Sequence, residues 1–312
     1  MSLITAPGAY ADIDNEDYHR NPDLLPGPSL SSSGAKRILS ASPYHYWFDS
    51  PLNPNRPPEQ DKSHYAIGKA AHDLILLADR WADHYHILPE GFTRAATKKF
   101  AEAIAAADEA IEAGKTVLKH DDHLTAIRVA DVLSENNLAM TALSKGVTEE
   151  TIVWQDAETG VWLRARPDFR PDSIVSGGPV RVLADLKFMS PTFCSPHGFG
   201  RAIDNFGYHQ SAAFYFEGIR QVYGEEPTHW INIVCEKAEK PSDPVTVSLY
   251  ELPSEDIHRG RLLNRQAIRI FADCLSADCW PAYADGPMPV GLPEYARKRI
   301  DLSAAAPLSE AA

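Results

Sequence analysis

Several things this sequence lacks narrow what it can be. It has no run of eighteen apolar residues, and its first ten residues carry neither a basic start nor an apolar stretch, so neither a membrane span nor a secretory signal is expected. The four cysteines, Cys194, Cys235, Cys274 and Cys279, form no C-x-x-C pair, and a chain of 312 residues needs no disulfides to fold, so they read as reduced thiols. Together these readings give a soluble, cytoplasmic protein as the expectation. Positive charge is also short: 30 Lys and Arg against 43 Asp and Glu leave a net charge of −13. That deficit argues against a protein that coats nucleic acid by charge alone. It leaves open a local acidic cluster that holds divalent cations, because bound metals reverse the field around them.

What is present suffices for a full core, with 44% hydrophobic residues. A Pro- and Ser-rich stretch over residues 22–58 encloses Ser31-Ser-Ser-Gly-Ala-Lys-Arg-Ile-Leu39, where a serine can cap a short helix. Apolar residues at helical spacing predict helices over His64–Ala78, Arg94–Gly114, Asp121–Leu143, Arg201–Val222 and Ser254–Ala277. Alternating patterns predict strands over Thr151–Gln155, Val161–Phe169, Val180–Lys187, Trp230–Cys235 and Val245–Leu249. The order indicates an α/β domain with a mixed sheet flanked by helices and an added N-terminal helical region. The expected division is an N-terminal extension over 1–60, a catalytic domain over 61–290 and a C-terminal tail over 291–312.

In Val180-Arg-Val-Leu-Ala-Asp-Leu-Lys187, alternation puts Asp185 and Lys187 on one face. Arg164, Arg166 and Asp168 share a face of the preceding strand, and Pro167 weakens that strand where Asp168 follows. Two aspartates at one strand-end site suit Mg²⁺, which takes oxygen ligands and supports phosphodiester hydrolysis. Lys187 could then orient or deprotonate the attacking water. Each residue also has a plainer reading. His72 can be a packed histidine, Asp185 with Lys187 a simple ion pair, and Asp168 a turn former. Tyr215 can be core, Arg164 and Arg166 exposed decoration, and Glu149 with Glu150 a solvated edge.

Several pieces of the sequence occur in the order found in the PD-(D/E)XK nucleases, specifically the RecE-type, phage-derived exonucleases, which the chain resembles. They are Leu30-Ser-Ser-Ser-Gly-Ala-Lys36, Gly68-Lys-Ala-Ala-His-Asp-Leu-Ile75, Arg164-Ala-Arg-Pro-Asp168, Asp185-Leu-Lys187, Tyr208-His-Gln-Ser-Ala-Ala-Phe-Tyr215 and Cys279-Trp-Pro-Ala-Tyr283. The resemblance implies a PD-(D/E)XK core with Mg²⁺, or Mn²⁺ in its place. His72, Asp168, Asp185 and the Leu186 carbonyl would be its ligands, and Glu150 a candidate for a second metal. Lys187 would act on the nucleophilic water, while Tyr215, Arg164 and Arg166 would face DNA. The family's glutamine falls where this chain has Ser211, with Gln210 one place earlier, and one residue turns a helical side chain by about 100°. Some members of the superfamily hold an iron–sulfur cluster with a cysteine before the helix histidine. No cysteine precedes His72, which argues against one here.

The activity implied is exonuclease action on the ends of double-stranded DNA, 5′→3′. The partners implied are a single-strand annealing protein and further copies of the chain in a ring. An endonuclease, or a catalytically silent DNA-binding module on the same core, remains open from sequence.

Overall fold

The computed structural model describes residues 3–57, 66–174, 180–238, 240–284 and 286–305. The start of the helix expected at His64 and the expected boundary at residues 60–61 lie outside them. The N-terminal part contains β1 (Gly8–Tyr10), α1 (Asn15–Arg20), β2 (Ser29–Ser31), α2 (Ser32–Ser40) and α3 (Pro43–Asp49). α2 begins where the serine run predicts, because Ser31 is extended and its hydroxyl accepts from the Gly34 amide at 3.2 Å.

Next come α4 (Ala66–Leu76), α5 (Trp81–His84), β3 (Tyr85–Ile87), α6 (Ala101–Glu112), β4 (Thr116–Leu118), α7 (His120–Ser134) and α8 (Asn137–Ala142). Two helices are shorter than their patterns suggest. Residues preceding α6 form turns, with the Ala96 amide donating to the Thr93 carbonyl at 3.1 Å. The helix expected over Asp121–Leu143 divides because Asn136 turns extended and its side chain caps α8 through the Ala139 amide at 3.0 Å.

The sheet-forming part has β5 (Gly146–Thr148), β6 (Thr151–Gln155), β7 (Trp162–Ala165), β8 (Phe169–Pro171) and β9 (Val182–Met189). The chain continues through α9 (Pro196–Phe206), α10 (Tyr208–Tyr223), β10 (His229–Glu236), β11 (Val247–Glu251), α11 (Ser254–Ala277) and α12 (Glu294–Ala305). β6 and β7 pair as the expected antiparallel hairpin. The single strand expected over Val161–Phe169 is instead two. β7 stays in a four-stranded sheet ordered β1-β6-β7-β2, while β8 joins a five-stranded sheet ordered β11-β10-β9-β8-β5. The crossing falls at Arg166-Pro167-Asp168, where proline offers no amide to continue the ladder. The helix expected over Arg201–Val222 is also two, divided at Gly207, whose φ of 63° only glycine adopts without strain.

The five-stranded sheet is mixed: β9 and β10 run parallel, and its other pairings are antiparallel. Leu183 and Trp230 pack on one face with Phe214 of α10 and Ile268 and Phe271 of α11. Ala184, Leu186 and Ile233 pack on the other with Ala70 and Ala71 of α4 and Val129 of α7. The result is the α/β/α arrangement that the element order indicates, with both faces of the sheet covered. β1 and β2 tie the N-terminal segment to the hairpin, where Ile4, Leu24 and Leu25 bury against Val153. No described helix is long and apolar enough to cross a membrane. All four cysteines are free thiols, three of them buried.

Candidate active site

The antiparallel register of β8 on β9 pairs Phe169 with Ala184 and so sets Asp168 beside Asp185. Asp168 Oδ2 accepts the Leu186 amide at 3.1 Å. Asp185 is 4% exposed and forms an ion pair with the Lys187 ammonium two residues along the same face. α4 delivers the histidine, with His72 Nε2 3.6 Å from Asp168 Oδ1. His72 Nδ1 lies 3.0 Å from Asp73 Oδ1, and the Tyr85 hydroxyl donates to the other Asp73 oxygen at 2.7 Å. The sequence-predicted core of the site, His72, Asp168, Asp185 and Lys187, therefore comes together from three elements.

Electrostatics follow from this packing. Burial pushes the Asp168 carboxyl up, but the neighbouring His72 and Lys187 charges and the Leu186 amide hold it down at about 2. Burial would lower the His72 pKa, yet Asp168 and Asp73 raise it to about 10. Lys187 is likewise driven above its ordinary value by Asp185 and Asp168, against the cost of burial. Burial raises the Asp185 carboxyl despite Lys187. Asp185 Oδ2 is buried, and the Lys187 ammonium paired with it offsets the cost of burying its charge.

A cleft of about 290 Å³ lies over Asp168, Asp185 and Lys187, and Arg166, Ser211 and Tyr215 line it, while His72 and Asp73 line the adjoining cavity. Arg166 reaches the cleft from a buried position, donating to Thr151 Oγ1 at 2.6 Å and to the Ile13 carbonyl at 2.8 Å. Arg164 stands apart from this cleft and lines a neighbouring one, with its guanidinium on Ser29 Oγ at 2.5 Å. Gln210 is buried off the cleft, and Ser211 takes the place facing it, as a one-residue turn of the helix requires. The Leu186 carbonyl lies 3.5 Å from Lys187 Nζ.

Glu150 does not join the group. Its carboxylate is held by Arg170 at 2.5 and 3.1 Å and by the Tyr223 hydroxyl at 2.7 Å, all away from the cleft. Glu149 faces the cleft instead, in a left-handed conformation with φ of 50°, its amide donating to the Asp168 carbonyl at 3.1 Å. Ligand atoms of His72, Asp73 and Glu149 all lie within 4.8 Å of one another, a donor set of nitrogen and carboxylate oxygen suited to a divalent cation. Sequence reasoning gave Asp73 no role and read Glu149 only as part of a solvated edge, although each sits next to a residue proposed as a metal ligand.

It also gave no role to Lys36 and Ser32. The Ser32 hydroxyl is buried in the first turn of α2 with no partner, and it lines the same cleft as Lys36. Burial and the Lys187 charge lower Lys36 to about 8. The piece Leu30–Lys36 was visible as a match, but only the fold sets it against Lys187.

A family model described as a PDDEXK-like domain of unknown function (DUF3799) matches residues 43–287. The chain belongs to this PDDEXK-like family. The membership agrees with the order of motifs in the sequence and supports nuclease activity for the PDDEXK-like chain. Among solved structures, a protein described as "Putative exonuclease" from Eubacterium rectale has TM-score 0.54 at 13% identity. The match covers 89% of this chain and 94% of that one, and it speaks for the PDDEXK-like fold alone. A phage related exonuclease from Haemophilus somnus 129PT has TM-score 0.30 at 10% identity, over 81% of this chain and 97% of that one. No curated protein matches the PDDEXK-like chain.

Proposed function

We propose that this chain is a metal-dependent exodeoxyribonuclease that hydrolyses phosphodiester bonds from the ends of double-stranded DNA in the 5′→3′ direction. The observation that carries the reading is the meeting of Asp168, Asp185 and Lys187 in one cleft of a PDDEXK-like fold, with His72 Nε2 3.6 Å from Asp168 Oδ1. His72, Asp168, Asp185 and the Leu186 carbonyl would hold Mg²⁺, or Mn²⁺ in its place, with Asp73 and Glu149 within reach of the same ion or its waters. The bound ion supplies charge neutralisation at the phosphate and a more acidic water.

The chain's own groups do the rest. Lys187, kept protonated by Asp185, donates to the attacking water or a phosphate oxygen and orients it. Amides at the start of α2, the Ser32 hydroxyl and Lys36 offer donors and positive charge to a phosphate in the cleft. Tyr215 and Arg166 line the DNA side. The resemblance to RecE-type proteins further suggests a single-strand annealing protein as partner and a ring of identical chains.

The test is digestion of end-labelled linear duplex against closed circular duplex, with Mg²⁺ or EDTA. The expected result is Mg²⁺-dependent loss of the linear DNA alone, with Asp185→Ala and Lys187→Ala folded but at least 100-fold slower. Cutting of the circle would make the protein an endonuclease. Intact DNA with both Mg²⁺ and Mn²⁺ would leave a binding module.

A further inference from the structure

On the side of α10 turned away from the reaction centre, a separate cavity of about 200 Å³ opens where the β6–β7 hairpin, α10 and α11 meet. It shares no lining residue with the two cavities around Asp168 and His72. Its floor is apolar and buried, made of Trp154 and Leu163 from the hairpin, Ala213 and Phe214 from α10, and Ile268 from α11. The Trp154 and Phe214 rings meet with centroids 5.3 Å apart. The remaining wall is polar, and part of its hydrogen-bonding capacity is unused. Asn264 is only 6% exposed, and its Nδ2 donates to the Gln210 carbonyl at 2.9 Å. Its Oδ1 is buried with no donor among the described residues. Arg265 Nη1 donates to Asp156 Oδ1 at 2.7 Å, while Nε and Nη2, the pair on another edge of the guanidinium, are buried with no acceptor among the described residues.

Buried groups of this kind are costly until they are paired, so they state what a ligand must carry. The Nε–Nη2 edge takes two oxygens side by side, as a carboxylate presents them. Asn264 Oδ1 asks for one N–H, and the floor asks for an apolar group. The last residue of a polypeptide joins all three at a single Cα. We propose that this cavity captures the C-terminal residue of a partner protein whose chain ends in an apolar side chain. Its carboxylate takes the free edge of Arg265, its own amide donates to Asn264 Oδ1, and its side chain lies against Trp154, Leu163, Phe214 and Ile268. The surrounding charges balance, because Asp156, Glu158, Glu217 and Glu226 are paired with Arg265, Arg269, Arg220 and Arg261. Selection therefore lies in the directed hydrogen bonds rather than in a field of one sign. Glu217 and Arg261 also line the cavity and remain partly exposed, so they can meet the peptide groups that precede the last residue, which a free amino acid lacks. The proposal needs no hydrolysis and stands apart from the nuclease reading.

Full-length protein is titrated by fluorescence anisotropy with short fluorescein-labelled Gly-Ser peptides that end in Leu with a free carboxylate, in Leu amide, or in Asp. The acid ending in Leu is expected to bind, and the amide and the Asp peptide to bind about tenfold more weakly. Arg265→Lys keeps a cation for Asp156 but lacks the forked edge, and it should bind the Leu acid about tenfold more weakly while leaving the amide unchanged. The comparison among peptides uses wild type alone, so it decides the matter even where the variant is unstable. N-acetylleucine carries the same carboxylate, amide and side chain with no chain before them, and it should compete about tenfold less well than the peptide. Equal binding of acid and amide, no binding of the acid up to about 1 mM, or wild-type affinity in a folded Arg265→Lys would overturn the proposal. N-acetylleucine as tight as the peptide would overturn it too, because the cavity would then serve a small carboxylate.

Discussion

Two adjacent glutamates have opposite surroundings. Glu150 is buried in a bidentate pair with Arg170 and capped by Tyr223, whereas Glu149 is turned by its left-handed backbone toward His72 and Asp73. Glu150→Ala strands the buried Arg170 charge, and the expected loss is about 3–5 kcal/mol of stability, read by denaturant unfolding. Glu149→Gln should leave stability within about 0.5 kcal/mol and weaken Mg²⁺ binding, read by calorimetry on the folded protein. The reverse pattern would exchange their roles. Asp156 offers a pH test away from the site. Burial raises its carboxyl, but hydrogen bonds from Arg265 and Thr159 outweigh that and hold it below the ordinary carboxylate range. Its contribution is therefore full above the unfolded value of about 3.9 and is lost as pH falls through the lower folded value. Asp156→Ala should cost about 1.5–3 kcal/mol at pH 7, and the gap in Tm from wild type should close as pH falls below 3.9.

At the scale of elements, α10 is the pivot between core and cleft. It presents Ser211 and Tyr215 to the site while its opposite side packs on α11, where Asn264 donates to the Gln210 carbonyl at 2.9 Å. The close approach depends on Gly260, because a Cβ there would run into the His209 carbonyl and sit 3.0 Å from the Ala213 Cβ. Gly260→Ala should push the helices apart and cost about 1–3 kcal/mol, visible as a lower Tm, together with a fall in hydrolysis as Tyr215 shifts. Unchanged Tm would mean that the two helices adjust without strain. The break between α9 and α10 shows why helical periodicity alone misled. Apolar spacing continues through Gly207, and a glycine inside a helical pattern is tolerated, so only its left-handed backbone reveals the turn.

For the whole molecule, a net charge of −13 means that DNA is met at a local patch. If Lys36, Arg166 and Lys187 supply the main phosphate contacts, the logarithm of affinity should fall with the logarithm of salt concentration with a slope of about −3. Affinity measured from low to moderate salt checks this, and a slope steeper than about −6 would point to a second basic surface. The N-terminal segment belongs to the same assembly of elements. β2 pairs with β7, Arg166 anchors the backbone at Ile13 and Asp14, and α2 lines the cleft. We propose that residues 1–60 act as part of the catalytic unit rather than as a detachable extension.

The sequence by itself determined the neighbours along each strand and helix. Asp185 and Lys187 share a face because alternation is a local property of extended chain, and the ordered motifs carried the family to which the fold and the match then agreed. Tertiary structure alone decided what meets across elements. Pro167 moves Asp168 from one sheet to the other, α4 brings His72 and Asp73 to it, and the start of α2 closes the cleft from more than a hundred residues away. Sequence periodicity reports which face of an element is apolar, but the choice between Glu149 and Glu150, or between Gln210 and Ser211, depends on backbone angles and helix phase fixed by packing.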